Sequence, residues 1–106
     1  VIEQQYLEEG LKAALEPAGF PHSPTHSGLE GWKVFLFQGL GEAGLMWSRP
    51  NDHADAEAGK GRDLDDQHLR TERLAAMQAV LQARGYTSEL GFLGDTPSIT
   101  ITRVPA

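Results

Sequence analysis

Four histidines and a scatter of carboxylates are the side chains here best suited to hold a metal ion or move a proton. His22 and His26 stand four apart in "PHSPTHS". That spacing puts two imidazoles on one face only in a helix, and Pro21 and Pro24 forbid a helix here. An extended loop still brings both to one ion if a third ligand arrives from elsewhere. The stretches "DHADAE" and "DLDDQH" add His53, Asp55, Asp63, Asp66 and His68. A calcium loop of the EF-hand type needs carboxylates at alternate positions, then a glycine and a distal Glu. The run Asp52, Ala54, Ala56 breaks that order. Helix capping accounts for Asp63, Asp65 and Asp66 more economically. The metal-ligating candidates are therefore His22, His26, His53 and Asp55, with no dedicated ion site and no cofactor expected.

Other chemistries find less support. A phosphate loop around Gly59-Lys60 needs a glycine at the position of Ala54 and a hydroxyl at that of Gly61. "GLGEAG" (39–44) has the glycine spacing of a dinucleotide loop but joins two strands instead of opening a helix. There is no cysteine, so neither a thiol nucleophile nor a Cys-ligated zinc is available. No serine lies in a G-x-S-x-G setting. No motif here supports an enzymatic activity, and none excludes one.

The elements that position these residues follow from periodicity. Leu7, Leu11, Ala14, Leu15 and Ala18 recur at helical spacing and predict a helix from about Glu3 to Glu16. Leu69, Met77, Val80 and Leu81, with Leu74 and Ala76 at the margins, predict a second from about Asp65 to Arg84. "LKAALEPAGF" (11–20) and "MQAVLQARGY" (77–86) resemble each other, and both end on glycine followed by an aromatic. Glycine enters the left-handed conformation without a Cβ penalty, so Gly19-Phe20 and Gly85-Tyr86 are helix stops. A hairpin follows each stop: "GWKVFLF" with "LMWS", and "YTSELGF" with "SITITRV". The expected fold is α+β, a two-layer αββαββ domain built from a duplicated αββ unit. Four mostly antiparallel strands form one sheet, with both helices on one face. The related halves span roughly 1–50 and 63–106. The polar stretch 51–62 between them, without periodicity, reads as a flexible loop, and the insert 21–31 as a surface loop stiffened by its prolines.

Alternation assigns the two sides of the sheet. Trp32, Val34 and Leu36, Leu45 and Trp47, Tyr86, Leu90 and Phe92, and Ile99 and Ile101 form the helix-facing set. The outer face then carries Thr87, Glu89, Thr100 and Thr102 on one hairpin. On the other it carries Phe35, Phe37 and Met46, with Lys33 at the rim. Left bare, that trio approaches the roughly 300–600 Å² of the largest apolar patch on an ordinary monomer.

Composition narrows the partners. The 106 residues make one domain, 40% of them hydrophobic, enough for one core. No run approaches the roughly 18 apolar residues of a membrane span. A net charge of −6 opposes nucleic acid and suits a basic protein. Together these describe a cytoplasmic protein-interaction module. It associates through Lys33, Phe35, Phe37 and Met46, either with a second copy as a homodimer or as an acidic inhibitor or immunity-type binder of a basic partner. The alternative is a small-molecule or metal-binding site, with enzymatic chemistry open, on the histidine-containing loop 21–31.

Overall fold

The structure is a computed structural model and describes residues 4–23, 29–37 and 42–105. Two long helices, α1 (Gln4–Leu15) and α3 (Leu64–Ala83), are joined by a four-stranded sheet and a short helix, α2 (Asp52–Glu57). The strands are β1 (Gly31–Phe37), β2 (Glu42–Ser48), β3 (Thr87–Leu93) and β4 (Thr96–Arg103). They lie in the order β1-β2-β4-β3, and every neighbouring pair is antiparallel. The fold is thus α+β with an open four-stranded antiparallel sheet and three helices.

Both long helices stop the same way. Gly19 and Gly85 each adopt φ +94°. The Phe20 N–H donates to Leu15 O and the Gly19 N–H to Glu16 O, each at 3.0 Å. At the other stop the Tyr86 N–H donates to Leu81 O at 3.0 Å and the Gly85 N–H to Gln82 O at 3.1 Å. These paired bonds are the Schellman pattern, which satisfies carbonyls the helix leaves open. The aromatic after each glycine folds back: Tyr86 is buried, and Phe20 packs on the core. At the start of α3 the Asp63 carboxylate accepts from the Asp66 N–H at 2.8 Å, the N-cap expected of it.

One buried cluster joins helices and sheet. Leu7, Leu11, Ala14 and Leu15 of α1 and Leu74, Met77 and Leu81 of α3 meet Trp32, Val34, Leu45, Trp47, Ile99 and Ile101. Strand register pairs Trp32 with Trp47, Val34 with Leu45, and Leu45 with Ile99, so these residues share one side as their alternation predicts. Burial corrects that set on the last hairpin. Leu90 and Phe92 pair with Ile99 and Pro97 on the same side, yet they are 41% and 62% exposed. Parity fixes which way a side chain points; α3 reaches the start of β3, where Gln78 Nε2 donates to Ser88 O, and leaves its far half exposed.

Register puts Lys33, Phe35 and Met46 on the opposite face, out of step with Trp32, Val34 and Leu45. Phe35 sits across from Gly44 and is only half exposed, because its ring occupies the space where a Cβ at Gly44 would stand. Lys33 and Met46 are half-buried as well. The Phe37 side chain lies outside the described residues. The stretch 51–62, expected as loop, contains α2, so a folded segment separates the two halves.

The stops give a direct test. Gly19→Ala adds a Cβ with nothing within 4 Å, so its cost is the left-handed conformation alone, about 1–2 kcal/mol by urea unfolding. Gly85→Ala should cost at least as much, since its Cβ also comes within 3.3 Å of the Pro105 side chain. Wild-type stability in both variants would contradict the assigned stops.

Candidate functional site

Arg70 occupies the fourth position before Leu74 on α3, in line with Leu74, Met77 and Leu81 on the buried stripe. An arginine there is 2% exposed and must be satisfied from inside. Its Nη1 donates to the Trp47 carbonyl at 2.6 Å and to Asp52 Oδ2 at 2.9 Å. Its Nη2 donates to Asp52 Oδ1 at 2.7 Å, completing a two-pronged pair. Its Nε donates to Asp66 Oδ2 at 2.7 Å, one helical turn earlier. One side chain thereby ties α3 to the end of β2 and the start of α2.

Two more arginines extend the network. Arg49 Nη1 donates to Asp66 Oδ1 at 3.0 Å, and the Arg49 N–H donates to Asp52 Oδ2 at 2.9 Å. Arg62 Nε donates to Thr96 Oγ1 at 3.1 Å, its Nη1 reaches Asp52 Oδ1 at 3.4 Å, and its N–H donates to Asp95. Burial alone would raise the pKa of Asp52. The hydrogen bonds from Arg70 and from the Arg49 amide, with the Arg70 and Arg62 charges, overcome it and hold the carboxyl below its ordinary value. Asp66 is lowered in the same way, burial being outweighed by Arg70 and Arg49. Burial also opposes the charge on Arg70, yet the two carboxylates hold its pKa above the usual arginine range.

Between this network and the outer side of the sheet lies a cavity of about 260 Å³. Lys33, Met46, Ser48 and Thr96 line it from the sheet, Asp52, His53 and Ala56 from α2, and Arg62 from the connection to α3. Two of the interface residues expected from the sequence, Lys33 and Met46, therefore stand in a cavity wall beside α2.

The histidines are not gathered. His22 bridges to Trp32 beside β1, with ring centroids 4.4 Å apart. Burial, then the Lys12 charge, lowers its pKa against the pull of Glu8 and Glu16. His26 lies outside the described residues. His53 pairs with Glu57 one turn along α2 at 3.1 Å. Asp55 lines a separate shallow cleft with Lys60 and Asp63. Among the described residues, no three His, Asp or Glu side chains are grouped to hold a metal ion. Nor is any helix among them long and apolar enough to cross a membrane.

Arg70 is the residue that pattern reading missed. Its signal was present: positions 70, 74, 77 and 81 follow one helical stripe, with an acid four residues before the arginine. Compared with protein families, curated proteins and solved structures, the chain has no match in any of the three.

Removing Arg70 strands two mostly buried carboxylates. Arg70→Met should therefore cost about 3–5 kcal/mol in urea unfolding; a loss within experimental error would show that the network does not hold the fold. The pH dependence has a definite sign. Asp52 and Asp66 have depressed folded values, so the stability they contribute is complete above the ordinary value of 3.8 and is lost as pH falls through the lower folded values. Urea midpoints followed downward from about pH 5 should drop less steeply in Asp52→Asn than in wild type. Parallel curves would contradict the assignment.

Proposed function

We propose that the chain is a non-enzymatic protein-interaction module that associates with a second copy of itself through β3. The observation that carries this reading is the outer edge of β3, unpaired among the described residues, where Leu90, Phe92 and Leu93 are 41%, 62% and 46% exposed. Edge strands that must stay single are usually blunted by lysine, proline or a bulge. "TSELGFL" has no lysine or proline, and its one register shift falls at Thr87/Ser88, leaving the apolar end regular. Thus the surface moves from the first hairpin, whose Lys33, Phe35 and Met46 are half-buried, to the second.

Charge favours a second copy. The only charged side chain on β3 is Glu89. Antiparallel pairing about a two-fold axis at Gly91 sets Leu90 opposite Phe92 of the second copy and Glu89 opposite its Leu93. No like charges then face each other, and four large apolar side chains meet on one side of an eight-stranded sheet. The duplicated αββ unit, with both long helices on the same face, belongs to this reading. Its support is the shared stop geometry at Gly19 and Gly85. A cytoplasmic location belongs to it as well, on the cysteine-free composition.

Sedimentation equilibrium tests the proposal. Wild type should show a concentration-dependent dimer, Phe92→Lys should be a monomer, and Phe35→Ser should dimerise as wild type does. A monomeric wild type, or a dimer indifferent to Phe92→Lys, overturns it.

A further inference from the structure

The cavity beside α2 points to a binding site that does not depend on the β3 edge. We propose that it binds a small oxyanion, the carboxylate or phosphate group of a compact metabolite, with Lys33 as its principal charge partner. The chain carries a net charge of −6, yet the side chains lining this cavity include Lys33, Arg49, Arg62 and Arg70 against a single carboxylate, Asp52. Asp52 is already committed to Arg70 on both oxygens. Just outside the lining, Asp66 is shared between Arg70 and Arg49, and Asp95 takes the backbone N–H of Arg62. Of the other carboxylates beside lining residues, Glu30 accepts from the Trp47 indole N–H and Glu57 pairs with His53. Among the described residues, Lys33 has neither a carboxylate nor a hydrogen-bond acceptor.

An ammonium on a cavity wall, without a counter-charge among the described residues, offers an anion an unshared cation. Lys33 could extend to open water from an edge strand, as lysines commonly do. Here its strand position aims it instead at a concavity walled by α2. The hydroxyl of Ser48 adds a neutral donor to the same walls, Met46 adds an apolar surface, and Thr96 Oγ1 holds Arg62. Arg62 is held in place by Thr96 and makes its longest contact, 3.4 Å, with Asp52. A second anionic oxygen near it would gain a charge-assisted hydrogen bond without displacing a strong one. The volume of about 260 Å³ accommodates an oxyanion with a few further heavy atoms.

Calorimetric titration with inorganic phosphate and, separately, with succinate distinguishes the two sources of the same chemistry, with sodium chloride matched for ionic strength. Saturable binding of phosphate alone assigns a phosphate-bearing ligand, and of succinate alone a carboxylic acid; binding of both assigns an unselective oxyanion site. In each case Lys33→Gln, with an unchanged circular dichroism spectrum, should weaken binding about tenfold or more. Amide shifts in two-dimensional NMR should centre on Lys33, Arg62 and Thr96. Should Lys33→Gln alter the spectrum, Thr96→Val supplies the same comparison. Binding of neither anion, or binding of equal strength in a folded variant, overturns the proposal.

Discussion

A permanently charged guanidinium sits where α3 would otherwise continue its apolar stripe, and the end of the sheet is arranged around that charge. Desolvating such an ion costs several kcal/mol, which only well-directed hydrogen bonds can offset. Arg70 obtains them from a strand carbonyl, from its own helix and from α2. The third source matters most. Helix α2 has no buried residue, so hydrophobic burial does not hold it in place. Its six residues are too few for a helix to persist alone in water. What fixes α2 on the fold is the pair between Asp52 and Arg70, reinforced by Arg49 and Arg62.

A wall held by charge behaves differently from one held by core packing. The apolar cluster is indifferent to pH and to moderate salt, whereas the carboxylate side of the network weakens as protons bind. Because α2 forms one side of the cavity, the shape of that cavity depends on the ionisation of Asp52. An anion entering beside Arg62 would compete with Asp52 for that arginine while leaving the closer Asp52–Arg70 pair intact. The cavity and the fold are coupled through one aspartate, and the coupling acts on the weakest contact of the network.

Most of the secondary structure was legible because it rests on local rules. The i, i+4 spacing of Leu7 and Leu11 marks a buried helix face, and glycine before an aromatic marks where each long helix must end. Strand alternation put Trp32, Leu45 and Ile99 on one side correctly. The same rule misjudged Leu90 and Phe92, because parity carries no information about how far a helix layer extends over an edge strand. Nor does parity say how far Phe35 projects from the outer face. Whether a ring stands out from a sheet depends on its cross-strand neighbour, and Gly44 allows this one to lie down. The site was the least legible part. A polar stretch without periodicity gives no helix signal, and α2 exists through a contact with a residue well separated from it in sequence. Arg70 alone could have announced that contact, as a charge in line with a leucine stripe.

The two halves differ most at their outer edges, and the difference has a mechanical cause. In the first half, the chain after the helix stop runs alongside β1. The Trp32 N–H donates to Pro21 O at 3.0 Å, and Trp32 O accepts from the Ser23 N–H at 2.8 Å. The Ser23 hydroxyl donates to Leu29 O at 2.7 Å, and the Trp32 indole N–H to Phe20 O at 3.1 Å, fastening that segment on both sides. The outward backbone groups of Trp32 are therefore already used. In the second half, Tyr86 is followed immediately by β3, and among the described residues no strand pairs with its outer side. An unpaired row of N–H and C=O groups next to exposed leucine and phenylalanine is an arrangement that another strand satisfies better than water does. The insert that closes one edge is thus what makes the other edge distinctive: the same stop motif leads into a guarded strand once and an open strand the second time.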